Sequence, residues 1–389
     1  MRLKIYFLFI CMALMILPLQ AKKVEADQAE MLAQRFMQSK HQLRSGVTLN
    51  LKYTATNKKV MLKSAPAADV AQTNVQDTVY YYVFDVDEAT HGGFVIVAGD
   101  DVAKPILGYS EKGSYDENNL PPNFAWWMEG MQKQIAYAQS HNLLQSEAVK
   151  NEWDSYLNGT AAASASVVGP LIQTQWDQGF PYNNLCPMID GAPAPTGCVA
   201  TAMAQIMKYF NFPESGSGQS AAYPSVSFEV NYDWANMQNT YDASKTLQQQ
   251  NAVATLMYHC GLSVQMQYNS SESMAFNQDV YNAMTTHFGY DRNMQMKNRN
   301  DYNDIDWENI LRMQIDARLP VYYAGAGNGS HAFVCDGYDN ESKFHFNWGW
   351  SGVGDGYYVT SALNPGNYDF SYGQFIITDI RPVQGYYQV

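Results

Sequence analysis

The chain has 389 residues, of which 46% are hydrophobic, 14% aromatic and only 16% charged, so it can bury a large core and is neither disordered nor fibrous. With 37 acidic against 24 basic side chains and a formal net charge of -13, it offers no electrostatic footprint for nucleic acid. The length fits two domains, and a mean hydropathy of -0.33 leaves room for one apolar segment at most.

That segment stands first. Arg2 and Lys4 precede an uncharged apolar run from Ile5 to Leu17, and Leu19-Gln20-Ala21 follows before Lys22. Residues 1–21 therefore read as a secretory signal peptide, because the run is shorter than the roughly 20 residues a membrane span needs. Cys11 within it lacks the small residues of a lipoprotein cleavage site. Export permits disulfides among Cys186, Cys198, Cys260 and Cys335, but their spacing selects no pairing.

Beyond the signal, Asp27 can cap a helix with Met31, Leu32, Phe36 and Met37 at helical spacing. Alternation at Val47, Leu49, Leu51 and Tyr53 predicts a strand, as do the β-branched and aromatic runs Val79 to Val86 and Gly93 to Gly99. A second helix is expected from about Asn123, with Trp127, Met131, Ile135 and Ala138 on one face. These elements make a compact α+β unit. From Leu157 to Pro170 the residues are small and neither periodic nor charged, which reads as a linker open to proteolysis.

Helical periods then dominate: Val199, Met203, Ile206 and Phe210; Leu256, Met257 and Cys260, closed by Gly261; and Ile310, Leu311 and Ile315, closed by Pro320. Strands follow at Val321 to Ala324, His331 to Tyr338, Lys343 to Phe346, Gly356 to Thr360 and Gln374 to Ile380. No internal repeat is visible.

Three short stretches carry chemistry. Pro195-Thr196-Gly197-Cys198 opens the first helix of the second unit, with Thr196 or a neighbour as its cap. A thiol there faces unpaired N–H groups and the positive end of the helix dipole, which favour the nucleophilic thiolate. The glycine-rich loop Gly325 to Ser330 delivers His331 at the mouth of an apolar strand. That loop lacks the Lys-Ser/Thr ending of a phosphate-binding loop. Further on, Asn347-Trp348-Gly349-Trp350 offers an amide to orient an imidazole and an indole to shield the hydrogen bond. Acyl transfer also needs donors at a developing oxyanion, and Gln178 is the candidate, with Gln173 and Gln175 as alternatives.

These residues resemble the streptopain family of secreted bacterial cysteine proteases, relatives of papain. The carriers are Trp176-Asp177-Gln178-Gly179, Thr196-Gly197-Cys198 with the helix through Tyr209, His331-Ala332-Phe333-Val334, and Asn347-Trp348-Gly349-Trp350 with Asp355-Gly356. The segments Gly93 to Asp100 and Ile106 to Ser110 are similar to the family propeptide. The resemblance implies Cys198 as nucleophile, His331 as base, Gln178 in the oxyanion hole, and Asn347, Trp348 or both orienting His331. It implies an α+β, papain-like fold of a helical lobe and a β-barrel-like lobe, preceded by an α+β propeptide domain. The expected division is 1–21 signal peptide, 22–160 inhibitory propeptide and 161–389 catalytic domain.

The implied activity is that of a latent, self-cleaving cysteine endopeptidase acting on protein or peptide substrates with an apolar P2 residue, needing no cofactor or metal. Its own propeptide is the expected intramolecular inhibitor, and neither nucleic acid nor, after signal removal, a membrane is expected as partner. Ser273 and Ser330 are the candidate substrate-binding residues. Glu272 and Met274 depart from the smaller residues expected in that stretch, which leaves P2 and P3 preference open, and Asn364 to Gln374 is shorter and less glycine-rich than in some relatives. Rival readings are a catalytically silent binding or inhibitory protein on the same fold and an acyl transferase using the same pair. A zinc site from Cys260, His331, Cys335 and His345 lacks paired ligand spacing, and no motif singles out two glycosidase carboxylates.

Overall fold

Strands buried along nearly their whole length and amphipathic helices assemble here around one long sheet. The computed structural model describes residues 22–40, 48–57, 78–87, 92–160, 167–221, 226–325, 331–363 and 373–383. The signal-like segment, the linker residues 161–166, the loop residues 326–330, including Ser330, and most of Asn364 to Gln374 lie outside them.

In the N-terminal unit, helix α1 (Ala26–Lys40) buries Leu32, Ala33, Phe36 and Met37, whereas Met31, expected on the same face, is exposed. Strands β1 (Leu49–Thr56), β2 (Val79–Val86), β3 (Phe94–Ala98) and β4 (Ile106–Ser110) form an antiparallel meander. Helix α2 (Pro122–Ser140) starts on a proline, whose missing N–H costs nothing at a first turn. Helix α3 (Glu147–Leu157), which the sequence patterns did not reveal, is capped by Ser146 accepting from the Val149 N–H.

The C-terminal unit begins with β5 (Val167–Val168) and a small hairpin of β6 (Met188–Ile189) and β7 (Ala192–Pro193). Helices α4 (Cys198–Phe210), α5 (Leu247–Ser263), α6 (Asp279–His287) and α7 (Asp304–Asp316) precede or alternate with β8 (Gln295–Asn298), and β9 (Val321–Gly325), β10 (His331–Asp339), β11 (Phe344–Asn347), β12 (Gly356–Tyr358) and β13 (Phe375–Thr378) follow. Gly261 does not close α5: it sits inside the helix, where a Cβ would fall 2.2 Å from the Tyr268 hydroxyl. β5 pairs with β10 at Tyr338 and Asp339, so the last residues of the expected linker are held in the sheet.

The two units share a sheet. Its order is β1-β2-β3-β4-β12-β11-β10-β9-β13-β8, and the junction pairs Tyr109 with Tyr357 and Gly108 with Tyr358. Along β9 and β10, Tyr323, Phe333 and Cys335 enter a core continuous with the N-terminal unit, while Tyr322, Ala324, Ala332 and Val334 enter the core around α4 and α5. Across the junction Lys40 pairs with Asp339 at 2.9 Å and Glu341 at 3.2 Å, and Tyr109 donates to Asp339 at 3.2 Å. Burial alone would raise the Asp339 carboxyl, but Lys343 and Lys40 hold it below its ordinary value.

Candidate active site

Gly197, not Thr196, occupies the N-cap of α4, with φ at 86° and no side-chain capping bond. A Cβ there would meet the Met266 methyl at 2.6 Å and the Ser273 carbonyl oxygen at 2.9 Å, so both its dihedral and its surroundings demand glycine. Thr196 instead donates its N–H to the Gln178 carbonyl at 3.0 Å and shares a hydroxyl bond with Thr201 at 2.9 Å. Ser273 is buried, its hydroxyl accepting from the Asn269 N–H, and it places the 269–274 turn against the start of the cysteine helix.

Gln178 is held next to that start. The Asp177 carboxylate accepts from the Gly179 N–H at 3.1 Å and from the Ser351 hydroxyl at 2.6 Å, which fixes the turn around Gln178 from both sides of the cleft. The alternatives are placed otherwise: Gln175 packs on Gly352, and Gln173 is exposed and donates to Pro170.

Cys198 is partly exposed as a residue, yet burial of its thiol is the largest influence on it and pushes its pKa up. The Ala332 N–H donates to the sulfur and opposes this, while the charge of Glu272 adds to it. Helix position favours the thiolate, and in the docked chain desolvation works against it. Among the described residues none of the four cysteines is in a disulfide.

His331 is the first residue of β10, paired with Gly325 of β9, so the histidine and the cysteine are neighbours through Ala332. Its ring packs on Trp126 of α2, with centroids 6.2 Å apart. Burial lowers its pKa and Glu272 partly offsets that. Asn123, one turn earlier on α2, donates to the Ala332 carbonyl at 3.3 Å and the Trp348 carbonyl at 2.6 Å.

Asn347 and Trp348 are occupied elsewhere. Asn347 accepts from Gln205 at 2.9 Å and Gly349 at 3.0 Å and donates to Thr174 at 2.7 Å; among the described residues no hydrogen bond joins it to His331. Trp348 is buried, donates to the Gly354 carbonyl and stacks on Phe124 of α2. Sequence reasoning gave no role to Gln205, which also accepts from the Thr174 hydroxyl at 2.8 Å, nor to Asn123 and Trp126. The only hint of the last two was a proline-started helix carrying adjacent tryptophans.

A cysteine at a buried helix start, a histidine on the adjoining strand and an N-terminal unit pressed onto both define a papain-like thiol protease precursor. Residues 176–358 match the Peptidase C10 family, and residues 21–135 match the Spi protease inhibitor family. Streptopain of Streptococcus pyogenes is 37% identical over 312 residues, 73% of this chain and 74% of that protein. The thiol protease/hemagglutinin PrtT of Porphyromonas gingivalis is 30% identical over 385 residues, 94% of this chain but 42% of its own length. The solved structure of a Prevotella intermedia prointerpain A fragment, a cysteine-to-alanine mutant, shares 34% identity, with a TM-score of 0.64 over 79% of this chain and 96% of that one. The chain belongs to the Peptidase C10 family. It is a streptopain-like cysteine protease zymogen with an inhibitory, Spi-like propeptide on a papain-like α+β domain.

Proposed function

We propose that the protein is exported as a latent endopeptidase in which Cys198 is the nucleophile and His331 the general base, with residues 22–160 as the propeptide and 161–389 as the catalytic domain. The observation that carries this is the placement of Cys198 at the start of α4 with the first residues of β10 against its sulfur. Export rests on the signal-like residues 1–21; among the described residues no helix is long and apolar enough to cross a membrane.

In the released enzyme His331 takes the thiol proton, and the thiolate sulfur attacks the scissile carbonyl carbon. The carbonyl oxygen gathers negative charge and is met by the Gln178 amide and a backbone N–H at the helix start. The imidazolium returns its proton to the departing amine, leaving a thioester. Water, deprotonated by His331, then attacks the thioester carbonyl and frees the thiol. In that state Asn347, Trp348 or both orient His331, Asn347 exchanging a bond it makes in the docked chain for one to the imidazole; Ser273 and Ser330 serve as substrate-binding residues, and an apolar residue occupies P2.

Latency comes from α2. Trp126 and Asn123 clamp the strand that carries His331, and burial beneath the propeptide disfavours the charged form of both reacting groups. Self-cleavage falls after α3 and before β5, within the window from Asn158 to Val168 but upstream of the paired Val167. The test is to incubate purified chain with an unfolded protein under reducing conditions, beside Cys198→Ala. Cleavage by the wild type alone supports the reading; no cleavage by either, or equal cleavage by both, overturns it.

A further inference from the structure

The turn over the cysteine helix carries a charge that the reaction itself does not need. Its backbone is fixed: Gln267 and Met274 exchange N–H···O bonds of 2.8 and 3.1 Å, Ser273 is buried, and its carbonyl presses on Gly197, the residue before Cys198. Exposure alternates along the next residues, with Glu272, Met274 and Phe276 exposed around a buried Ser273 and a half-buried Ala275. Three side chains therefore face solvent on one side of the turn. Met274 and Phe276 are 50% and 69% exposed, which is much apolar surface to leave uncovered beside a cleft.

Glu272 immediately precedes Ser273, whose carbonyl lies against Gly197 beside Cys198, so its carboxylate is carried on an element distinct from those of Cys198 and His331, and its charge favours the protonated form of both. Among the described residues no cation pairs with its carboxylate, although acidic groups elsewhere at the surface of this protein have found partners, as Asp154 has in Lys150. A substrate threaded past Cys198 thus meets an unneutralised carboxylate next to an apolar strip.

We propose that Glu272, with Met274 and Phe276, selects peptides bearing lysine or arginine at P1 or P3, on either side of the apolar P2. The chemistry matches in both parts: a long basic side chain lays its methylene stem on apolar surface and keeps its charged head at the carboxylate. This deepens the protease reading and rests on it.

The test uses the self-matured enzyme and paired peptides identical except for lysine or norleucine, placed in turn at P1 and P3. At P1 or P3 the ratio of kcat/KM for lysine over norleucine should fall by up to about fivefold on Glu272→Gln, the range of an exposed ion pair. It should also fall in the wild type as salt is raised, because an exposed pair is screened. Glu272→Lys should turn the preference toward glutamate at that position. An identical lysine-to-norleucine ratio in wild type and Glu272→Gln at both P1 and P3 overturns the proposal. So does an equal loss on both peptides with a shifted pH profile, which would make Glu272 a positioning residue for His331. If the wild type cleaves none of the peptides and no unfolded protein, the protease reading itself fails.

Discussion

Replacing Gly325 by alanine should unlock the precursor without touching the reacting groups. Gly325 pairs with His331 across the β9 and β10 strands, and the Trp126 indole of the propeptide lies directly on it. A Cβ at Gly325 would stand 1.9, 2.3 and 2.6 Å from three atoms of that indole, so the ring must retreat by about 1.5 Å to reach ordinary contact at 3.4 Å. Overpacking of this kind costs about 1–3 kcal/mol. At 1.36 kcal/mol per decade, the docked propeptide should open about five- to 150-fold more often. The assay is the initial rate of Cys198 alkylation by iodoacetamide in reduced full-length protein, before shortening is detectable. Gly325→Ala precursor should react faster by that factor, and the two matured enzymes should react alike, since Trp126 has then departed. Equal rates in the two precursors would refute the clamp, and a slower matured variant would show that the strand itself had been damaged.

Three further outcomes follow from the site. Gln178→Ala should lower kcat by roughly a hundred- to a thousandfold with a similar KM, the usual cost of one oxyanion donor, and a crippled Gln175→Ala beside a normal Gln178→Ala would reassign the role. In the matured form, iodoacetamide at mildly acidic pH should label Cys198 before Cys186, Cys260 and Cys335, whose thiols burial pushes up; equal labelling of all four would contradict an ion pair with His331. Asp355, which accepts from the Trp348 N–H at 2.8 Å, is pushed up to about 7 by burial, partly offset by His345. Its folded form therefore binds a proton between its ordinary 3.8 and about 7, and its contribution to stability is lost as pH rises through that window. Asp355→Asn should thus raise the melting temperature of the Cys198→Ala precursor more at pH 8 than at pH 4.5, and an equal or opposite gain would contradict the sign.

Much of the site was legible because it is built from local signals. Cys198 announced itself by standing at the start of an apolar helical stripe, and His331 by following a glycine-rich loop into an apolar strand. The strands from Val321 onward were equally plain, since alternation and β-branched residues coincide there. What the sequence concealed are contacts that depend on the partner surface. Trp126 reads as one more helical aromatic until β9 is placed beneath it, about two hundred residues away in the chain. Asn347 reads as a partner of His331, but in the docked chain its amide is satisfied by Gly349 two residues on and by Gln205 and Thr174, which come from elements with no sequence link to it. Gly261 looked like a helix stop and is instead the space into which Tyr268 fits. The joining of the propeptide sheet to the catalytic sheet at β4 and β12 has no local signature at all, because an edge strand is written like any other strand.

The most direct test of the zymogen mechanism is a time course of intact mass for purified wild-type and Cys198→Ala precursors in reducing buffer, with activity on an unfolded protein followed in parallel. The mechanism predicts that the wild type shortens to a species beginning between Asn158 and Val167 as activity appears, while Cys198→Ala stays full length and inactive. A mutant that shortens equally with no other protease present, or a full-length wild type already as active as the shortened form, would contradict it.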